Sequence, residues 1–226
     1  MRRGGWRALA LAPAVLGIVS MTVPDPSRAE PIGFRQLRLK GHPVRWMRLF
    51  PHDDTVITYR IATTDLVSDG AVNCGVLRPI TDIVSASKIS AGTFRRELAA
   101  AFALWSSVAR IKFVELAGHE PADIVVGAQG DPTGRAYAQV FFDQDHAGPV
   151  KPITRSLVCL NPRIPWKVGF DGNLEVYDLR YTLAHEIGHA IGLDHPERQG
   201  QLMWYRYDER FRDLRAGDIA GAVSLY

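Results

Sequence analysis

The sequence has little of what marks several common protein classes. Its 226 residues include only two cysteines and no low-complexity tract. No repeat with a period of about 20 to 50 residues is present, which excludes repeat architectures. An apolar run from Ala8 to Met21 is too short for a membrane-spanning helix, which needs about 20 residues. With 46% hydrophobic and 23% charged residues, the chain is therefore expected to form an ordinary globular domain.

Residues 1–29 have the pattern of a secretory signal peptide. Three arginines precede the apolar run, and Ser27 and Ala29 are placed like the small residues of a cleavage site. The alternative is an uncleaved membrane anchor, which the short run disfavours, and no cysteine lies nearby to carry a lipid. We expect a secreted or periplasmic protein with no stable membrane insertion once the signal is removed.

The positive net charge of the chain also comes from residues 1–29. These residues carry four arginines and one aspartate, which equals the whole net charge of +3 and leaves the remaining chain near neutrality. The basic isoelectric point is therefore no sign of a nucleic-acid surface, and we expect no nucleic-acid partner.

Patterns along the remaining chain predict an α+β domain over residues 55–226. Residues 30–54 are polar and contain three prolines, which predicts an N-terminal extension or a short pro-segment. Residues 62–92 are rich in Ser, Asp, Gly and Pro and predict a long irregular insert. Runs of β-branched and aromatic residues predict strands over 55–61, 111–116, 122–128, 136–142 and 156–161. Periodicity and capping predict three helices, from a Thr93 cap to about 108, over about 178–191 and over about 216–225.

The most specific pattern is HEIGHAIGLDH, from His185 to His195. On a helix, His185 and His189 lie one turn apart on the same face and can reach a common metal ion. Gly192 can adopt a left-handed conformation at the helix end, which lets the chain turn and bring His195 back as a third ligand. Three imidazole ligands with an open position suit catalytic zinc, and Glu186 would lie beside that position as general base.

This motif and its surroundings resemble the matrixin branch of the metzincin metalloproteases. Met203 matches the methionine that lies beneath the zinc in that family, and the segment LRAGDIAGAVSLY resembles the end helix. The segments ITYRI, AAAFALWSSVARIKFVEL and ADIVVGAQG resemble the first strand, the first helix and the early sheet. The resemblance spans residues 55–226. It implies a metzincin-like α+β catalytic domain with a twisted mixed sheet, about three helices and a zinc cleft.

The resemblance implies a secreted zinc-dependent endopeptidase, in which Glu186 activates a zinc-bound water to hydrolyse peptide bonds. It further implies one catalytic Zn²⁺ and a polypeptide substrate bound extended along an edge strand, and we expect the chain to be a monomer. Two alternatives stay open: a secreted zinc-binding module without turnover, and a zinc hydrolase of a non-peptide amide or ester. The presence of Glu186 disfavours the first, and nothing in the motif excludes the second.

Three features depart from the closer relatives or leave their role open. Tyr205 stands where matrixins usually have proline and resembles the tyrosine of astacins and serralysins that stabilises the oxyanion. A packed tyrosine at the rim is an equal alternative. His146 is the one histidine in the loop where the animal collagenases hold a second zinc, so a structural zinc is not expected. Asp143 and Asp145 could bind Ca²⁺, although an ordinary acidic turn is favoured.

Cys74 and Cys159 are predicted to form a disulfide, since two cysteines in an exported chain favour that pairing. The bond would close a loop of about 85 residues and contribute about 4 kcal/mol in the chain-entropy description. The sequence CGV at Cys74 also resembles the core of the matrixin propeptide switch, in which a thiolate occupies the open zinc position. Its flanking residues and its place after the first strand differ, so a free or switching thiol is the alternative.

Overall fold

The computed structural model describes residues 33–47 and 53–226. The predicted signal peptide lies outside the described residues. Within the part of the chain that is described, no helix is both long and apolar enough to cross a membrane.

The described residues form eleven strands in two sheets. They are β1 Arg35–Gln36, β2 Arg38–Leu39, β3 His42–Arg45, β4 Thr55–Ile61, β5 Leu66–Val67, β6 Val76–Arg78, β7 Ile111–Glu115, β8 Ile124–Gln129, β9 Ala136–Phe142, β10 Lys151–Leu160 and β11 Leu193–Asp194. All five predicted strands are confirmed, and β4 and β9 have the predicted bounds. Strand β10 begins five residues before the predicted start at 156.

The larger sheet contains both parallel and antiparallel strands, and β9 forms one of its edges. Strands β3, β10, β8, β4 and β7 run parallel in that spatial order, and β1 and β11 form a separate pair. Strand β9 pairs antiparallel with β10 and has no second strand partner among the described residues. This mixed sheet with its helices confirms the predicted α+β class.

Four helices lie within the described residues. They are α1 Thr81–Ala86, α2 Ala91–Ser106, α3 Leu179–Ala190 and α4 Ala216–Leu225. The last three correspond to the predicted helices. The predicted cap of α2 is wrong, because the Oγ of Ser90 accepts the N–H of Thr93 at 3.0 Å and the helix therefore begins earlier.

The prediction of an irregular insert over residues 62–92 is also wrong in part. This segment contains β5, β6 and α1. Leu77 and Ile83 are fully buried in the core. Their burial against residues far along the chain orders a segment whose local composition favours turns, since packing can override propensity.

Helices α2 and α3 pack together on one face of the sheet and fix the position of the motif helix. The buried face of α2 includes the apolar residues Phe102 and Trp105. The indole N–H of Trp105 donates to the carbonyl oxygen of Ala184 in α3 at 2.9 Å. This buried hydrogen bond holds the register between the two helices, because an unpaired indole N–H would be costly there.

The disulfide lies in a smaller apolar cluster separate from the main core. Cys74 and Cys159 are joined with their Cα atoms 5.7 Å apart, and they pack with Leu77, Val125 and Leu157. Both cysteines are oxidised, so the free or switching thiol is not present in this structure. The bond ties the loop after β5 to the C-terminal end of β10.

Residues 33–47 belong to the same compact unit as residues 53–226. Strand β3 extends the large sheet, and β1 pairs with β11 directly before His195. Trp46 is buried, and its indole N–H donates to the carbonyl oxygen of Ala190 at 3.0 Å. The described part of the predicted extension is therefore integrated into the domain, while an inhibitory role for residues 30–54 stays a prediction.

Candidate active site

Helix α3 places the first two histidines of the motif. Asp178 caps it, because its Oδ1 accepts the N–H of Tyr181 at 2.8 Å. The helix then runs without interruption through His185 and His189, whose ring centres lie 4.9 Å apart on one face. The i, i+4 spacing therefore brings the two imidazoles together as the sequence predicts.

A glycine turn brings the third histidine to the same place. Gly192 follows the end of α3 with a φ of +103°, in the left-handed region. A Cβ atom at this position would also overlap the carbonyl oxygen of Val44, so glycine is required for two reasons. After the turn, the Nε2 of His195 lies 3.1 Å from the Nε2 of both His185 and His189.

Main-chain carbonyl groups orient the ring nitrogens. The Nδ1 atoms of His185 and His189 each lie 2.8 Å from a carbonyl oxygen, of Leu202 and Leu193 respectively. A carbonyl oxygen only accepts, so each Nδ1 carries the hydrogen and each Nε2 presents a lone pair to the centre. The Nε2 hydrogen of His195 can be donated to the Nε2 of His185 or of His189, but not to both. The lone pair of the other Nε2 then faces His195 without a proton between them. A cation between the rings would resolve this arrangement.

The electrostatics of the cluster favour the neutral, ligand form of all three rings. Burial lowers the pKa of His185 well below its ordinary value and lowers the pKa of His189 to about 4. Burial also lowers the pKa of His195. Neutral imidazoles bind metals, and three of them suit a catalytic zinc site. This is the only group of three or more His, Cys, Asp or Glu residues that could hold a metal within residues 33–47 and 53–226.

Glu186 lies in the wall of the same cleft and is only 7% exposed. Burial raises its pKa to about 8, while the N–H of Ala138 in β9 donates to the carboxylate and opposes the shift. A divalent cation among the neighbouring imidazoles would lower this pKa again, because it stabilises the ionised form. The carboxylate is thus placed between the histidines and the free edge of β9.

Met203 lies directly beneath the motif helix. A Cβ atom on Gly188 would overlap the Sδ of Met203, which shows how closely the turn packs against α3. The N–H groups of Leu202 and Met203 donate to the carboxylate of Asp218 in α4 at 2.8 and 3.0 Å. Asp218 therefore holds the turn whose Leu202 carbonyl orients His185.

Sequence reasoning missed two buried aspartates that support the site. Asp218 is the N3 residue of α4, and an acidic residue in an otherwise apolar, glycine-rich helix is the signal that could have revealed it. Asp178 precedes the motif helix and also binds the guanidinium of Arg212, with Oδ2 and Nη2 2.6 Å apart. Asp178 stands at the start of the predicted helix, where an aspartate is typical of a cap, but its partner 34 residues away is visible only in the structure.

A cleft of about 570 Å³ opens above the histidines. Its lining includes the edge strand β9 and the aromatic residues Tyr181, Trp204, Tyr205 and Tyr207. Tyr205 is half-exposed at the rim, with its ring centre 6.3 Å from that of His195.

The predicted calcium residues lie away from this cleft. The Oδ1 of Asp143 accepts the N–H groups of Asp145 and His146 at 3.0 and 3.2 Å, as in an acidic turn. Asp143, Asp145 and His146 do not line the cleft. Calcium binding by Asp143 and Asp145 stays a prediction.

The chain is similar in sequence to proteins of one known family. The sequence profile of the Matrixin family matches residues 81–226. The chain is 34% identical over 155 residues to Matrix metalloproteinase-23 of Bos taurus, covering 61% of this chain and 38% of that protein. It is 34% identical over 149 residues to Matrix metalloproteinase-23 of Homo sapiens, covering 58% and 37%. It is 31% identical over 150 residues to Metalloendoproteinase 1-MMP of Arabidopsis thaliana, covering 59% and 36%. The matched part is thus less than half the length of each of these relatives.

Proposed function

The chain belongs to the matrixin family, and on that premise we propose that it is a secreted zinc-dependent endopeptidase. The observation that carries the proposal is the convergence of three neutral imidazoles beside a buried carboxylate, in a cleft bordered by a strand edge with no strand partner among the described residues. His185, His189 and His195 would hold the metal, and Glu186 would serve as the base. The similar metalloproteinases support the same reaction class.

Each part of the site has a distinct task in this proposal. Zinc, when bound, supplies Lewis-acid polarisation of a carbonyl group and makes water more acidic. Glu186 takes a proton from the attacking water and delivers it to the leaving nitrogen. Its burial near the histidines keeps the carboxylate poorly hydrated, which strengthens it as a proton acceptor beside a cation. Met203 and Gly192 support the ligands and take no part in bond making.

The substrate in this proposal is an extended polypeptide. In the described part of the chain no strand pairs with the edge of β9 beside Glu186, and an added strand can form main-chain hydrogen bonds there without regard to side chains. This mode of binding suits peptides better than small amides or esters, because a longer chain makes more of these bonds.

Tyr205 is a second residue that we place in the reaction. Its position at the rim near His195 would let the phenol donate a hydrogen bond to the oxyanion that develops on the scissile carbonyl. The alternative is a packing role, since its ring lies 4.5 Å from that of Trp204. A Tyr205→Phe variant separates the two, because a fall in kcat of about 10-fold or more supports oxyanion stabilisation and unchanged kcat contradicts it.

The test of the main proposal compares three proteins on an unfolded protein substrate such as reduced casein. These are the mature chain, Glu186→Ala and the control Glu197→Ala, which removes an exposed carboxylate close to the motif. We expect cleavage by the mature chain and the control, none by Glu186→Ala, and about one zinc per chain in all three. Zinc in all three without any cleavage would indicate either an enzyme masked by residues 30–54 or a binding module. Zinc without cleavage after removal of residues 30–54 as well would contradict the endopeptidase.

Export is a separate part of the proposal. It is supported by the charge and apolar pattern of residues 1–29. N-terminal sequencing of the protein recovered outside the cytoplasm should begin at Glu30. Recovery of the uncleaved chain in the membrane fraction would contradict it.

A further inference from the structure

One end of the cleft carries an arginine that the reaction does not use. Arg135 directly precedes β9, is half-buried and lines the cleft. Its Nη1 donates to the carbonyl oxygen of Glu175 at 3.1 Å, and its Cζ lies 3.9 Å from the centre of the Tyr177 ring. The guanidinium is therefore held in one place by a hydrogen bond and a cation–π contact.

Arg135 differs from the other half-buried arginines near the motif helix. Arg180 binds the carboxylate of Glu97 at 2.8 Å, and Arg212 binds Asp178. Arg135 has no carboxylate partner among the described residues. One of its five N–H groups bonds to a neutral carbonyl, and the others remain for a ligand in the cleft. Its positive charge is thus not neutralised by any carboxylate in the described part of the chain.

The distance to the reacting centre follows from the strand. Ala138 donates its N–H to Glu186, and Arg135 lies three positions before it along the same edge. A strand rises about 3.3 Å per residue, so the two positions are roughly 10 Å apart. An extended peptide on this edge has the same rise, so the residue facing Arg135 is about three positions from the scissile bond.

We propose that Arg135 is a specificity-determining residue that binds an acidic side chain of the substrate about two to four residues from the scissile bond. The inference rests on the proposed endopeptidase function. A guanidinium matches the two oxygens of a carboxylate with paired N–H groups, and such charge-assisted bonds are stronger than neutral ones. The stack on Tyr177 orders the side chain in advance, so less entropy is lost on binding.

The experiment uses pairs of peptides that differ only by Glu or Gln at one position. After the cleavage site of a neutral peptide is mapped by mass spectrometry, Glu and Gln are compared at each of the four positions on either side. We expect one or two neighbouring positions at which Glu raises kcat/KM over Gln by about 10-fold, as hydrogen bonds to charged groups suggest. The preference for Glu should fall below about 2-fold in Arg135→Gln and reverse in Arg135→Glu, so that Gln is favoured over Glu.

The matched control is Arg155→Gln. Arg155 also lies over an aromatic ring, with its Cζ 4.3 Å from the centre of Phe141, but it does not line the cleft. Its loss should leave the Glu preference at the wild-type ratio. Thermal unfolding of all variants shows whether each one is folded. The ratio of kcat/KM for two peptides on the same protein does not depend on how much of that protein is active.

A binding measurement keeps this inference separate from the proposed function. Zinc-loaded Glu186→Ala is titrated with the same labelled Glu and Gln peptides, which needs no turnover. Tighter binding of the Glu peptide that disappears in Glu186→Ala/Arg135→Gln supports the role of Arg135 even if no protein cleaves any peptide. Equal cleavage or equal binding of Glu and Gln at every position overturns it, as does a preference that survives in Arg135→Gln.

Discussion

The contact between Gly188 and Met203 makes a sharp prediction for stability. A Cβ atom at Gly188 would overlap the Sδ of Met203 and lie 2.9 Å from the Cζ2 of Trp105. Both neighbours are buried, and the Trp105 indole is fixed by its bond to α3, so neither can move aside easily. Overpacking costs about 1–3 kcal/mol, while replacing glycine in a helix gains about 1 kcal/mol. We expect Gly188→Ala to lower the free energy of unfolding by up to about 2 kcal/mol, the difference between these two effects.

The same substitution should weaken zinc binding. Displacement of Met203 moves the adjacent carbonyl of Leu202, which orients the ring of His185. Loss of such a supporting hydrogen bond typically lowers metal affinity by roughly 10- to 100-fold. We therefore expect a zinc affinity lower by about 10-fold or more in Gly188→Ala, measured by competition with a chelator of known affinity.

The matched control for this prediction is Gly92→Ala in helix α2. A Cβ atom there meets nothing closer than 3.7 Å, so the change should be neutral or stabilise the protein by about 0.5–1 kcal/mol. Urea unfolding of both variants gives the comparison. Met203→Ala removes the overlapping atom, so Gly188→Ala should be less costly in that background, by about 1 kcal/mol or more. Equal stability of Gly188→Ala and Gly92→Ala would refute the reasoning.

Three further predictions concern the supports of the site. Gly192→Ala should destabilise the protein by about 1–3 kcal/mol and reduce its zinc affinity, because this residue needs a positive φ. Zinc affinity is measured by the same chelator competition, and an affinity equal to that of the wild type would contradict the prediction. The double variant Cys74→Ser/Cys159→Ser should lose about 4 kcal/mol in urea unfolding, and two reactive thiols in the oxidised, unfolded wild type would exclude the bond. Asp178→Ala should lose about 3–5 kcal/mol, because it removes the cap of α3 and leaves Arg212 with only the more distant carboxylate of Glu97, at 3.8 Å. A loss below about 1 kcal/mol would show that water and Glu97 replace the carboxylate of Asp178.

The parts of the fold that sequence predicted well are those decided by neighbouring residues. Strands β4 and β9 and helix α3 follow from side-chain periodicity and capping within each segment. The missed elements are short and depend on distant partners. Strand β1 pairs with β11 about 160 residues away, and α1 is ordered by packing of Ile83. No local pattern reports such pairings, because their stability comes from long-range contacts.

The sequence by itself determined which residues form the histidine cluster. The spacing of His185 and His189 and the position of Gly192 act through the local geometry of one helix and its end, so the pattern alone predicts their convergence. Only the tertiary structure decided how the rings are oriented, because the carbonyl of Leu202 is brought to His185 by a turn held from α4. It also left Arg135 without a carboxylate partner in the described residues. Hydrogen bonds and ion pairs across the fold depend on where distant segments meet, and local spacing carries no information on that.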